Sequence, residues 1–212
     1  MIEIKNTRVL VLAPHTDDAE LGCGGTIAKL LDHGNQVHCA AFSACQQSVR
    51  PEFPSDILIR EVKEASAALG IPADHLHLFD FEVRTFNFRR QDILDTILKL
   101  KKQIDPQVVF IPSVNDVHQD HYTIAQEGLR AFKLCNLFSY ELPWNNLTFQ
   151  STSFSILEEK HLERKVAAIK AYKSQAHRAY MTDEYIRGWA HMRGVQIHER
   201  YAECFEMVRM KF

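Results

Sequence analysis

The chain has 212 residues, 46% of them hydrophobic and 25% charged, with a formal net charge of −2. That is enough chain to bury a full core without disulfides, so residues 1–212 read as one domain of ordinary globular composition. The acidic balance argues against a nucleic-acid partner, whose binding face would be basic, and no apolar stretch has the length of a membrane span. Five scattered cysteines (Cys23, Cys39, Cys45, Cys135 and Cys204) form no C-x-x-C pair. They point to reduced thiols in a cytoplasmic protein and away from a cysteine zinc site. Met1 to Asn6 lacks the basic-then-apolar layout of a secretory signal, in keeping with a cytoplasmic location.

Residues 7–13 read as a buried parallel strand, short, continuous and rich in Val and Leu. Ile27, Leu30 and Leu31 then give helical spacing up to the stop signal Gly34-Asn35. Val37 to Phe42 is a second strand, and the polar, proline-bearing stretch from Ser43 to Pro54 is a mobile loop near the site. Ser55 or Asp56 caps a helix through Ala68, closed by Leu69-Gly70-Ile71-Pro72. Leu76 to Phe81 is a third strand. Arg89 to Ile104 is a helix with Ile93, Leu94, Ile97, Leu98 and Leu100 inward, ended by Asp105-Pro106, and 107–112 is a fourth strand. A helix over 119–133, a strand around Leu137 to Leu142, helices over 158–174 and 183–193, and a closing strand from Cys204 to Met210 complete the chain. Strands alternating with helices predict an α/β fold, a doubly wound, mostly parallel sheet with helices on both faces.

Two polar clusters follow two of those strands. His15-Thr16-Asp17-Asp18 comes after Val9 to Ala13, and His118-Gln119-Asp120-His121 comes after Val108 to Ile111. In the commonest doubly wound order the first and fourth strands are neighbours at the switch point, where ligands bind beyond the carboxyl ends. The clusters would then face each other across one crevice. Three histidines and three aspartates exceed the three ligands that a catalytic zinc takes, leaving groups for base, acid and orienting roles. A bound zinc lowers the pKa of its water to about 7. Asp17, Asp18 and Asp120 are also natural helix caps, so either cluster by itself has a purely structural explanation. Gly22-Cys23-Gly24-Gly25 fits neither G-x-G-x-x-G nor a P-loop, and it reads as glycines that let the first helix lie close to the sheet. His33, His75, His77, His161 and His198 read as surface or cap residues rather than ligands.

Ala13 to Thr26, with its Pro14-His15-Thr16-Asp17-Asp18 core, resembles the opening motif of the PIG-L (LmbE-like) zinc-dependent N-deacetylases. Asp105 to His121 resembles their second motif, His-x-Asp-His, and Glu61, Ala65 and Leu69-Gly70 resemble the intervening helix. Tyr172-Lys173-Ser174-Gln175 and Ala202-Glu203-Cys204-Phe205 are similar to later segments. The resemblance implies a Rossmann-like, LmbE-like fold and removal of the acetyl group from an N-acetylglucosamine-type amino sugar. It implies Zn2+ held by His15, Asp18 and His121, with Asp17 as general base. It makes His118 the oxyanion stabiliser or general acid and Asp120 the residue that orients the His118 ring. Relatives often assemble, which implies a homo-oligomer.

Thr16 stands where the family usually has proline, and Ala19 intervenes before Glu20. A family arginine three residues before the helix glutamate is Leu58 here, so Arg84 and Arg193 are the substitutes for a substrate contact, with surface charge as the alternative for each. The competing functions are hydrolysis of another acylated amine and non-catalytic sugar binding. A nucleotide-binding module would need a glycine-rich turn after the first strand. Iron is an alternative to zinc, because imidazole and carboxylate suit both.

Overall fold

The computed structural model describes residues 4–211. Seven strands, β1 (Arg8–Ala13), β2 (Gln36–Ala41), β3 (Leu76–Leu78), β4 (Val108–Pro112), β5 (Asn136–Tyr140), β6 (Ser153–Ile156) and β7 (Ala202–Arg209), form one sheet in the order β3-β2-β1-β4-β5-β7-β6. The first five are parallel, whereas β7 runs antiparallel to both β5 and β6. β1 and β4 are neighbours, paired Val9 to Val108 and Val11 to Phe110, as the doubly wound order requires.

The side-chain period of two along β1 builds both cores. Val9 and Val11 face α1 (Asp18–Asp32), α2 (Ile57–Leu69) and α5 (Glu159–Ala171), in a cluster with Ile27, Leu30, Val62, Leu162 and Val166. Leu10 and Leu12 face α3 (Arg90–Ile104) and α4 (Gln119–Ala131), with Ile93, Ile97, Leu100, Ile111 and Ile124. α6 (Asp183–Val195) packs against β7. Burial of both faces explains why β1 and β4 read as unbroken apolar runs. None of the described helices is long and apolar enough to cross a membrane, and all five cysteines are free.

Several expectations shift at the edges. The third strand stops at Leu78, although Phe79 and Phe81 still donate their N–H groups to Ala41 and Phe42. Leu98 is 43% exposed, because one residue past Ile97 on a helix turns roughly 100° away from the inner face. Asp56 stands at the N-cap of α2 without capping it; its carboxylate pairs with Arg60 instead. β6 has no counterpart among the predicted strands, since Ser153-Phe154-Ser155-Ile156 is short and half-buried and carries little strand signal. Gly70, at φ +86, ends α2 as expected. His75 and His77 are grouped with His38 on one face of the sheet edge, and His161 is buried, closing the capping box of α5.

The glycine run lets α1 sit close to its neighbours. A Cβ on Gly22 would lie 2.3 Å from the Tyr140 ring, and one on Gly25 would lie 2.5 Å from Leu157. Between them Cys23, at φ −148, breaks the helical geometry and leaves fresh amide donors. Glu203 on β7 takes them, accepting from Gly25 at 2.9 Å and Thr26 at 2.6 Å, and pairs with Lys165 at 2.6 Å. Both side chains are nearly sealed from solvent, at 3% and 5% exposed. Glu203→Ala would strand the Lys165 ammonium, so urea unfolding of that variant is expected to show a loss of about 3–5 kcal/mol. A loss below about 1 kcal/mol would mean that Lys165 finds another partner.

Candidate active site

The carboxyl ends of β1 and β4 open on a cavity of about 310 Å³ lined by both polar clusters. Its floor is His15, Asp17, Asp18, His118 and His121, so topology brings together residues about a hundred positions apart. Three donor atoms converge there. His15 Nδ1 lies 3.2 Å from Asp18 Oδ2, His121 Nε2 lies 3.3 Å from the same oxygen, and the two nitrogens are 3.1 Å apart. Ligands at about 2.0–2.1 Å from a tetrahedral zinc stand about 3.3 Å from one another, so the triangle has the right size.

The remaining nitrogens of both rings are held by carboxylates. His15 Nε2 donates to Asp120 at 3.0 Å, and His121 Nδ1 donates to Asp116 at 2.8 Å. In neutral rings, the form that binds a metal, those bonds select the tautomers whose lone pairs point into the triangle. His15, His118 and His121 also form a looser group able to hold an ion, with donor atoms within 4.8 Å of one another. The tighter set contains Asp18 instead, and the His118 ring is committed elsewhere.

Asp120 therefore corrects one expectation. It orients His15, and the Asp120 backbone N–H donates to His118 Nδ1 at 3.2 Å. His118 is thus the N-cap of α4, and the tautomer this leaves carries its proton on Nε2. Capping explains none of the aspartates here. Asp17 occupies the N-cap position of α1 without a side-chain cap bond, and Asp18 accepts from the His15 amide at 2.8 Å.

The electrostatics follow from burial and crowding. Burial opposes charge on His15, yet hydrogen bonds to Asp120 and Asp18 and the Asp18 charge outweigh it and raise its pKa well above the ordinary value. Burial also opposes the Asp18 charge, but His121 and His15 hold its carboxyl below the usual range. Burial and the neighbouring Asp18 push Asp17 up. His118 is lowered to about 4 by burial and by His121 and His15, which favours its neutral form. Glu20, buried beside the site, is pushed up to about 8 by desolvation.

Of the two arginines expected at the substrate, Arg84 lines the cavity and Arg193 does not. Arg193 is bound to Glu141 through Nε at 2.7 Å and again through Nη2, and Nη1 meets Ser151. Its guanidinium is spent on tying α6 to the end of β5. Sequence reasoning missed Asp116, Arg178 and Tyr180. Asp116 sits in Ser113-Val114-Asn115-Asp116, which reads as a turn, and Arg178 sits among polar residues after α5. Glu61 anchors that later segment by accepting from Ser174 N at 2.8 Å and Ser174 Oγ at 2.5 Å. Asp116→Ala should weaken metal affinity about 10- to 100-fold, measured by competition with a chelator, because His121 would lose its orienting partner. Unchanged affinity would remove Asp116 from that role.

A second cavity of similar volume, lined by Leu30, Phe110, Phe138 and Phe205, lies away from both clusters. The profile of the PIG-L family, described as GlcNAc-PI de-N-acetylase, matches residues 10–132, more than half of the chain. The chain belongs to the PIG-L family. Among relatives of this family member, the uncharacterized deacetylase YaiS of Escherichia coli (strain K12) is 27% identical, over 80% of this chain and 92% of that protein. The diacetylchitobiose deacetylase of Thermococcus kodakarensis is 23% identical, over 95% of this chain and 83% of that protein. The fold is shared more widely: GalB, the 4-carboxy-2-hydroxymuconate hydratase of Pseudomonas putida KT2440, superimposes with a TM-score of 0.79 at 20% identity, covering 97% of this chain and 98% of that one.

Proposed function

We propose that this deacetylase-family protein is a zinc-dependent amidohydrolase that removes the N-acetyl group from an N-acetylglucosamine-type amino sugar and releases acetate. The observation that carries this reading is the convergence of His15 Nδ1, Asp18 Oδ2 and His121 Nε2 in a cavity that also holds Asp17 and His118. Two imidazoles and one carboxylate are a zinc donor set that leaves a position open for chemistry. A zinc ion bound there supplies the positive charge that acidifies water and polarises the acetyl carbonyl.

The chain's own groups do the rest. The Asp17 carboxylate, free of any capping bond, takes a proton from the attacking water as its oxygen adds to the carbonyl carbon. His118 is neutral with its proton on Nε2, so it suits a hydrogen bond to the oxygen that gains negative charge better than it suits general-acid work. Asp17 can then hand its proton to the sugar nitrogen as the C–N bond breaks, giving acetate and a free amine. Asp120 and Asp116 keep the two ligand rings aimed. The diacetylchitobiose deacetylase relative supports an amino-sugar substrate.

A fold that also carries a hydratase makes acetate release the deciding assay. Zinc-loaded protein incubated with a panel of N-acetylated sugars is expected to liberate acetate and amine in equal amounts. Stoichiometric zinc with no acetate from any acetylated amine would overturn the hydrolase reading in favour of a binding role.

A further inference from the structure

Ion pairing among the arginines sets two of them apart. Of the thirteen arginines in the chain, ten end on a carboxylate. The other three are Arg84, Arg178 and Arg209, and Arg209 lies far from the site, donating to the Lys133 carbonyl. The two that remain both line the catalytic cavity. Among the described residues their guanidinium hydrogen bonds go to neutral hydroxyls: Arg84 Nη2 meets Ser48 Oγ at 3.2 Å, and Arg178 Nη1 meets the Tyr180 hydroxyl, with the guanidinium over the Tyr180 ring. Asp17 and Asp18 line the same cavity and their charges act on Arg178, yet among the described residues neither arginine reaches them at ion-pair distance.

Both arginines are exposed to solvent, but the segments that carry them are held in place. Arg84 has φ +67, a left-handed conformation that a long side chain seldom adopts. Its backbone N–H is fixed on Asp120 Oδ2 at 2.6 Å, and that oxygen also receives His15 Nε2. One carboxylate thus sets a ligand ring and the loop that carries Arg84. Tyr180, which also lines the cavity, lies flat on Trp144 with centroids 3.9 Å apart, which braces the hydroxyl that Arg178 meets. A planar guanidinium without a carboxylate is a standing site for a carboxylate or phosphate.

We infer that Arg84 and Arg178 are specificity residues for an anionic substituent, so that the substrate is an N-acetylated amino sugar bearing a phosphate or carboxylate. This rests on the deacetylase reading above and narrows it. Leu58, apolar and lining the same cavity, is not the residue that meets the anion.

The test compares N-acetylglucosamine with its 1-phosphate, its 6-phosphate and N-acetylmuramic acid, whose lactyl group is a carboxylate. For the zinc-loaded enzyme, kcat/KM is expected to be about 10- to 100-fold higher for one of the anionic sugars, through KM. Which one wins separates phosphate from carboxylate. In Arg84→Ala and Arg178→Ala the ratio of anionic to neutral kcat/KM should collapse toward one, with partial return in Arg178→Lys. Equal turnover of neutral and anionic sugars by the parent enzyme, or ratios unmoved in both variants, overturns the inference. If no sugar yields acetate, the deacetylase reading falls by itself. Calorimetry with glucosamine against glucosamine 6-phosphate, glucosamine 1-phosphate and muramic acid then judges the anion site separately. Tighter anion binding that disappears in the two variants upholds it, and indifference to the anion overturns it.

Discussion

Asp17→Asn is expected to retain a full equivalent of metal while kcat falls by about 10²–10⁴, the usual worth of a positioned general base. The substitution keeps the size of the side chain and its place at the start of α1, where it makes no capping bond. Helix stability should therefore be unaffected, and the melting temperature serves as the control. Asparagine cannot accept the proton, so the loss should fall on kcat with little change in KM. Metal analysis, thermal melting and steady-state kinetics on one preparation separate the possibilities. Turnover within about threefold of the parent would remove Asp17 as the base, because even a modest acid–base role exceeds that.

Asp18→Ala and His118→Ala are expected to fail in different ways, and that difference decides between two ligand sets. If the ion sits in the tight triangle, Asp18→Ala should lose both bound metal and activity, by about a thousandfold or more, since a metal's stabilisation of developing charge is worth several kcal/mol. His118→Ala should keep the metal and lose turnover, because His118 caps α4 and presents Nε2 to substrate instead of joining the triangle. The looser group of His15, His118 and His121 makes the opposite forecast: metal lost with His118 and kept without Asp18. Equilibrium dialysis against zinc, followed by chelation and re-addition, reads the result directly. Metal retained in Asp18→Ala would replace the triangle with the three-histidine set.

The meeting of the two polar clusters was legible because of where their residues fall along the chain. His15, Asp17 and Asp18 follow a run too apolar to be anything but a buried strand, and His118 and His121 follow another. The right-handed winding of such strands leaves few places for their carboxyl ends to go. The pairing of β1 with β4 made good the strand order that this argument assumed. The resemblance to the family implies the division of labour proposed for Asp17 and Asp18, which residue types alone leave open. The family profile supports membership, and the geometry of the triangle is an independent reason to group His15, Asp18 and His121.

What the sequence by itself determined, then, is local and periodic: which runs are buried strands, which helices are amphipathic, and which polar residues stand at strand ends. Those follow from burial and side-chain period, which act within a few residues. The tertiary structure decided the partners. Asp120 faces His15, 105 positions away, instead of the His118 ring beside it. Arg193 was a plausible substrate contact until Glu141, 52 positions earlier, claimed it. Arg178, which no sequence motif marks, lines the cavity in a segment that Glu61 anchors through Ser174. A side chain's charge and reach are written in its residue type, but the groups it meets depend on how distant segments pack, and no short-range pattern encodes that.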